Sequence, residues 1–363
     1  MNKRSIDYIL LFAVLTLLVI GITMIFSASS IRGEKLFNDS YYFLKKQLMF
    51  AVIGLIAMLV SANVDYHIFK KYAKVILLFS IVLLVLVLIP GIGRKVGGSR
   101  RWLGIGSLGG QPSEVAKLAL VIYIAQFYTR KNNLIKNFKK GILPILIVSG
   151  IMFFLILVEP DLGTAGFLLT LVFIMLFANG AKIWHLIGIL VVSIPGIFWA
   201  IFREPYRKER FLAFLDPWSD PLDSGYHIIQ SLLALGSGGI FGVGLGNSHQ
   251  KFLYLPEPGT DFIFAIIGEE LGFLATLLVL LLYLVIAWKG LKISYNTTDR
   301  FGSILAMGIT VMIVLQAMLN IAVVTASVPI TGITLPFISY GGSSLVLFLF
   351  SVGILLNISK NQS

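Results

Sequence analysis

Apolar runs long enough to cross the hydrocarbon core of a bilayer recur along nearly the whole chain, near residues 8–29, 47–63, 73–90, 113–128, 141–158, 162–179, 183–202, 261–288, 302–324 and 339–357. An α-helix rises about 1.5 Å per residue, so about 20 such residues reach from one face of the core to the other. Inside lipid only a helix or a closed barrel satisfies every backbone polar group, and runs this long exclude barrel strands. Ten spanning helices are therefore expected. The run at 113–128 is short and carries Glu114 and Lys117 within it.

Composition agrees. Hydrophobic residues make up 57% of the 363 positions and charged ones 13%, against roughly 45–50% apolar usage in soluble domains. The chain reads as an all-α integral membrane protein, residues 1–363 forming a single polytopic domain. A formal charge of +12 in a soluble chain would point to nucleic acid. Here the basic residues sit in short segments between apolar runs, so no nucleic-acid partner is expected, only membrane lipid. With no cysteine, disulfides and thiolate metal sites are excluded.

The opening MNKRSIDYILLFAVLTLLVIGITMIFSASS imitates a secretory signal. Its apolar run exceeds the roughly 7–15 residue core of a cleaved signal, so a retained first helix is expected. An even number of spans puts both termini on one side. The clusters HIFKKYAK (67–74), TRKNNLIKNFKK (129–140) and WKGLK (288–292) mark that side as cytoplasmic.

The outward segments are then 30–46, 91–112 and 203–260. The last, between helices 7 and 8, is far longer than the roughly 2–8 residues that join bundle helices. Its stretch GYHIIQSLLALGSGGIFGVGLG (225–246) is apolar but too glycine-rich for an uninterrupted span. An interfacial or re-entrant segment is expected there, its glycines serving close backbone packing, since neither GxGxxG nor GK[ST] is present. His249 lacks any metal-ligand spacing, and NTT at 296–298 matches a glycosylation acceptor only formally, in a cytoplasmic loop.

An ionised side chain deep in the bilayer costs about 2.5 kcal/mol or more, so intramembrane charges face a partner, a cavity or a substrate path. Here they gather at the outer end: Arg100, Arg101, Glu114, Lys117, Glu159, Asp161, Arg203, Arg207, Arg210, Lys251, Glu257 and Asp261. Glu114 and Lys117, three apart, share a helix face and either form a structural pair or hold and orient an anionic ligand. Asp161 follows Pro160 at a helix start, where capping alone would explain it. Arg207 and Arg210 form either a solvated rim or a bidentate phosphate clamp. Thr260 and Asp261 could cap the eighth helix, but a cap does not account for Glu257, nor for Glu269 and Glu270 about two turns deeper. Those two would seek cationic or hydrogen-bonding partners inside the bundle, whereas Asp261 at the rim is the best-placed base.

The motifs GGSRRWLGIG (97–106), QPSEVAKLAL (111–120), EPDLGTA (159–165), GYHIIQSLLALGSGGIFGVGLG (225–246), KFLYLPEPGTDFIFAIIGEELG (251–272) and VPITGITLPFISYGGSSL (328–345) together resemble the SEDS family of bacterial cell-wall polymerases (FtsW, RodA and SpoVE). The form ITLPFISYGGSS is more similar to the FtsW and SpoVE branch. The resemblance implies a ten-helix enzyme of the bacterial cytoplasmic membrane, active at its outer face. It would polymerise lipid II into glycan strands beside a class B penicillin-binding protein. It also implies Asp261 as the essential catalytic residue and carries functional roles onto Glu114, Lys117, Asp161, Lys251 and Glu257.

Chemistry fits that implication. A sugar hydroxyl attacking an anomeric carbon needs a base within about 2.6–3.2 Å, which Asp261 could be. Polyprenyl pyrophosphate is a good leaving group that needs positive charge, for which Arg101, Lys117, Arg207, Arg210 and Lys251 are candidates, with or without a divalent cation such as Mg or Mn. Two rivals keep the same residues: a lipid II flippase, and a noncatalytic scaffold that activates the penicillin-binding protein. Clustering at one face instead of the midplane favours the enzyme.

Overall fold

A computed structural model describes residues 6–96, 99–105, 108–130, 134–251, 255 and 258–360. The expected site residue Glu257 lies outside these. Each predicted apolar run falls on a helix: α1 (Tyr8–Phe37), α2 (Tyr42–Asn63), α3 (His67–Leu88), α4 (Pro112–Arg130), α5 (Leu143–Val158), α6 (Leu162–Ala178) and α7 (Ile183–Phe202). Two shorter helices, α8 (Pro205–Leu215) and α9 (Tyr226–Ser237), fill the long segment, and α10 (Ile263–Asn296), α11 (Arg300–Val324) and α12 (Gly342–Ser359) complete the chain.

Among the described residues, eight helices are long and apolar enough to cross a membrane: α1, α2, α3, α5 with the π-helical turn before it, α7, α10, α11 and α12. The other two predicted spans fall short for different reasons. α6 is apolar but has only 17 residues. α4 lies inside the bundle, where Glu114, Lys117 and Gln126 are buried against neighbouring helices, so its polar side chains need not face lipid. The peripheral helices do the opposite. Val52, Ile56 and Leu59 of α2, Val75 and Leu78 of α3, and Val191 and Val192 of α7 are exposed, as lipid-facing side chains are in a bilayer protein.

The all-α expectation needs one correction. Residues in the segment 91–112 form a three-stranded antiparallel sheet, β1 (Arg94–Val96), β2 (Ser99–Ile105) and β3 (Leu108–Gly110), with Arg94 opposite Trp102 and Leu103 opposite Gly110. β1 and β3, of three residues each, are too short to show a sequence period, while pairing with β2 satisfies their backbone groups.

The eighth apolar run is also not one continuous helix. α10 breaks at Gly272, whose φ of 77° and ψ of −173° are open to glycine and strained for other residues. The glycine-rich stretch after α9 fills the break. Val243 and Gly244 donate N–H bonds to the carbonyls of Glu269 and Glu270 at 2.9 and 3.0 Å, and Phe273 donates to the Gly239 carbonyl at 2.9 Å. A Cβ on Gly272 would lie 2.3 Å from the Gly242 nitrogen, so only glycine allows two backbones this close. The expected close packing of these glycines is what the fold contains.

Candidate active site

Asp261 sits in the short turn before α10, and this turn is hung from the rest of the bundle by its backbone. Asn320 of α11 donates from Nδ2 to the Asp261 carbonyl at 2.9 Å and to the Ile333 carbonyl at 2.7 Å. The Ser339 hydroxyl donates to the Thr260 carbonyl at 2.6 Å, and the Tyr340 N–H to the Gly259 carbonyl at 2.8 Å. The N-cap position of α10 is Phe262, whose own side chain makes no capping hydrogen bond. Asp261 lines a cleft of ≈ 1720 Å³.

Arg101, Asp161, Arg207, Arg210 and His227 line the same cleft. Asp161 is the N-cap of α6: one carboxylate oxygen accepts the Thr164 N–H at 3.0 Å and the other the Thr164 hydroxyl at 3.0 Å. Arg101, on β2, approaches Asp161 at 3.6 Å and donates to the backbone carbonyls of Glu159 and Pro160, so it fastens the sheet to the α5–α6 turn. The Tyr206 hydroxyl of α8 donates to the same Pro160 carbonyl at 3.2 Å. Arg207 is buried and gives Nε to the Tyr206 hydroxyl at 2.9 Å and Nη1 to the Ala200 carbonyl at 3.1 Å, whereas Arg210 is exposed.

Two predicted residues lie just below the floor. Lys117 Nζ is 2.8 Å from Glu114 and also donates to Gln316, while its head group lies 4.9 Å from the Phe167 ring centroid. This pair lines a cavity of ≈ 20 Å³ whose other walls, Thr334 and Gly332 among them, also face the cleft. The cleft wall, as far as the described residues form it, does not include Lys251. Lys251 is 6% exposed, pairs with Glu270 at 3.1 Å and donates to the Gly246 carbonyl, behind the break in α10. Glu270 also accepts the Ser27 hydroxyl at 2.7 Å, and Glu269 accepts the His249 N–H at 2.8 Å and the Ser248 hydroxyl. These two deeper acids have found the partners expected of them.

Two residues had no place in the sequence-based site. His227 of α9 stacks on Phe262, the residue after Asp261, with ring centroids 5.9 Å apart, and its Nδ1 finds no hydrogen-bond partner among the described residues. Burial, and then the Arg210 charge, lower its pKa, so it stays neutral at pH 7. Its only sequence signal was a place within the GYHIIQ motif. Glu159 is fully buried, and neither carboxylate oxygen finds a partner among the described residues. Burial first, and the neighbouring Asp161 second, push its pKa up to about 8 against the opposing pull of Arg101.

The described residues contain no group of three or more His, Asp or Glu side chains placed to hold a metal ion. Asp161, Glu209, Asp223 and Asp261 are carboxylates on the cleft wall that could meet a cation together with ligand oxygens, although Asp161 already serves Thr164.

A family model of cell cycle proteins, that of FtsW, RodA and SpoVE, matches residues 8–363. The chain is similar to stage V sporulation protein E of Bacillus subtilis (strain 168), 48% identical over 99% of this chain and 98% of the relative. It is 43% identical to the "Probable peptidoglycan glycosyltransferase FtsW" of Geobacter sp. (strain M18), over 98% of this chain and 97% of the relative. Among solved structures, a chain of a peptidoglycan synthase complex described as coordinating polymerization and crosslinking superposes with a TM-score of 0.81 at 27% identity, covering 99% of this chain and 98% of that one. The rod shape determining protein RodA of Thermus thermophilus superposes with a TM-score of 0.70 at 26% identity, over 100% of this chain and 99% of that one.

Proposed function

The chain belongs to the FtsW/RodA/SpoVE family of cell cycle proteins, and from that premise we propose that it is a peptidoglycan glycosyltransferase that joins lipid II units into glycan strands. The observation that carries the proposal is the Asp261 carboxylate: it lies on a cleft wall shared with Arg101, Arg207 and Arg210 while its backbone is pinned from three sides. A group held this way is placed for chemistry before substrate arrives.

In the proposed reaction the sugar hydroxyl of one lipid II attacks the anomeric carbon of another. The new carbon–oxygen bond forms as the bond to pyrophosphate breaks, and the hydroxyl proton passes to Asp261. Pyrophosphate leaves as an anion, so no protonating acid is demanded, and the arginines stabilise the charge that develops on it. A divalent cation, if bound, would be held by Asp161 or Asp261 and would supply positive charge to the leaving pyrophosphate. The prenyl chain has a place to lie. Between α5, α6 and α7 the cleft is aliphatic and aromatic, lined by Leu146, Phe153, Phe173, Leu176, Ile189 and Ile197.

The proposed topology has ten crossings, with α4 and α6 the two least suited to lipid by composition and length, both termini cytoplasmic and the cleft facing outward. A class B penicillin-binding protein is the proposed partner, by analogy with the synthase complex. The deciding experiment gives purified protein lipid II and measures polymer. Asp261→Asn should cut strand formation about 10²–10⁴-fold, whereas a flippase or scaffold would show no polymerisation in the unaltered protein to lose.

A further inference from the structure

The cleft that Asp261 lines is also walled by α1 and α2. Gly259 lies against α1 so closely that a Cβ there would come 2.4 Å from the Ser29 hydroxyl. From Ser29 outward, α1 lines the cleft with Arg32 and Leu36, one stripe of a helical face, and reaches Phe37 after about 12 Å of helix axis. α2 faces it with Tyr42, Phe43, Lys46 and Phe50, again a single face. Tyr340, whose N–H holds the Gly259 carbonyl, meets the Phe43 ring edge-on with centroids 5.2 Å apart. Tyr42 stacks on Phe37 at 3.7 Å, and Lys46 Nζ lies 4.2 Å from the Tyr42 ring centroid and donates to its hydroxyl.

This wall differs in kind from the aliphatic trough between α5, α6 and α7. There the side chains are hydrocarbon, suited to a prenyl tail. Here aromatic rings alternate with hydroxyls and cationic heads, the mixture that recognises a pyranose: C–H faces lie on rings, hydroxyl edges take hydrogen bonds, and acidic substituents meet charge. An interfacial aromatic belt is the plainer reading of rings at this depth, but the belt is a separate set. Tyr41, more than half exposed, stacks on Phe26 at 5.3 Å, and neither ring lines the cleft.

We propose that the α1–α2 wall is a saccharide subsite that holds the sugar units next to the reacting one, so that a strand already made stays bound between additions. The proposal rests on the glycosyltransferase reading above. Its signature is strand length, because a weaker grip on the strand raises its escape rate relative to elongation.

The test compares polymer length distributions, at equal lipid II consumption, for the full chain and for Tyr42→Ala and Lys46→Glu. Strands about fivefold shorter are expected from each, since lost contacts act chiefly on dissociation. Tyr41→Ala should leave the distribution unchanged. Unaltered lengths in Tyr42→Ala and Lys46→Glu would overturn the subsite. If Tyr42→Ala does not fold, Lys46→Glu, at a half-buried head group, carries the test alone. Failure of the unaltered protein to polymerise would sink the underlying reading instead, which a change of length alone cannot do.

Discussion

The two ends of one short helical segment treat their acids in opposite ways. Around Asp261 three donors hold the backbone: Asn320, Ser339 and the Tyr340 N–H take the carbonyls of three consecutive residues, and Asp261 lies on the cleft wall. Around Glu269 and Glu270, at the break in α10, donors reach the backbone carbonyls and the side chains alike, and those side chains are 1% and 0% exposed. Glu269 and Glu270 thus help to keep a broken helix closed, while Asp261 faces the cleft.

Replacing each kind of acid, or its partner, should give separable effects. Asp261→Asn should lower the polymerisation rate by about 10²–10⁴-fold, the usual contribution of a general base. Its melting temperature should stay close to that of the parent. Lys251→Met should do the reverse. It leaves Glu270 buried without its cation, a loss of about 3–5 kcal/mol, while turnover per folded molecule holds. Equal turnover losses in both variants would erase the contrast and return Lys251 to the substrate.

The pair of Glu114 and Lys117 lies between these cases and sharpens the comparison. It is buried as Glu270 is, yet Gly332 and Thr334 separate it from the cleft by a single layer. Lys117→Ala should raise KM for lipid II about tenfold, equivalent to about 1.4 kcal/mol, beyond any loss of stability. A lower melting temperature with KM unchanged would make this pair purely structural.

The helices were legible because a run of apolar residues has one solution in lipid. Arg101, Asp161, Arg207, Arg210 and Asp261 could be grouped because charge is costly everywhere except around a cavity or rim. What the sequence hid depends on contacts between distant segments. The break at Gly272 exists only because residues 239–244 lie beside it, and nothing within the apolar run announces that. Lys251 resembled a phosphate ligand from its neighbours in sequence, while its actual neighbour is Glu270, across the break. Two of the three strands at 94–110 were too short to carry a period. Asp161 stays double in meaning, since it caps α6 and faces the cleft at once.

Glu159 offers the mildest test and the one with a defined sign. It is buried without a hydrogen-bond partner among the described residues, in the turn that Arg101 fastens, and its pKa stands near about 8 instead of 4.5. Between those values the unfolded chain has lost the proton that the folded protein keeps, so stability is full below about 4.5 and falls as pH rises towards 8. Above 8 both states are ionised and the fall levels off. Glu159→Gln keeps the shape of the neutral acid and removes its titration. Thermal unfolding in detergent from pH 5 to pH 9 should show a flatter pH dependence for this variant and higher stability than the parent at the alkaline end. The contrast with Asp261 is then complete from the other side: polymerisation at pH 6, where Glu159 is already protonated, should match between Glu159→Gln and the parent. A large loss of activity there would mean that this turn needs an ionised carboxylate, and that the α5–α6 corner belongs with the reacting group.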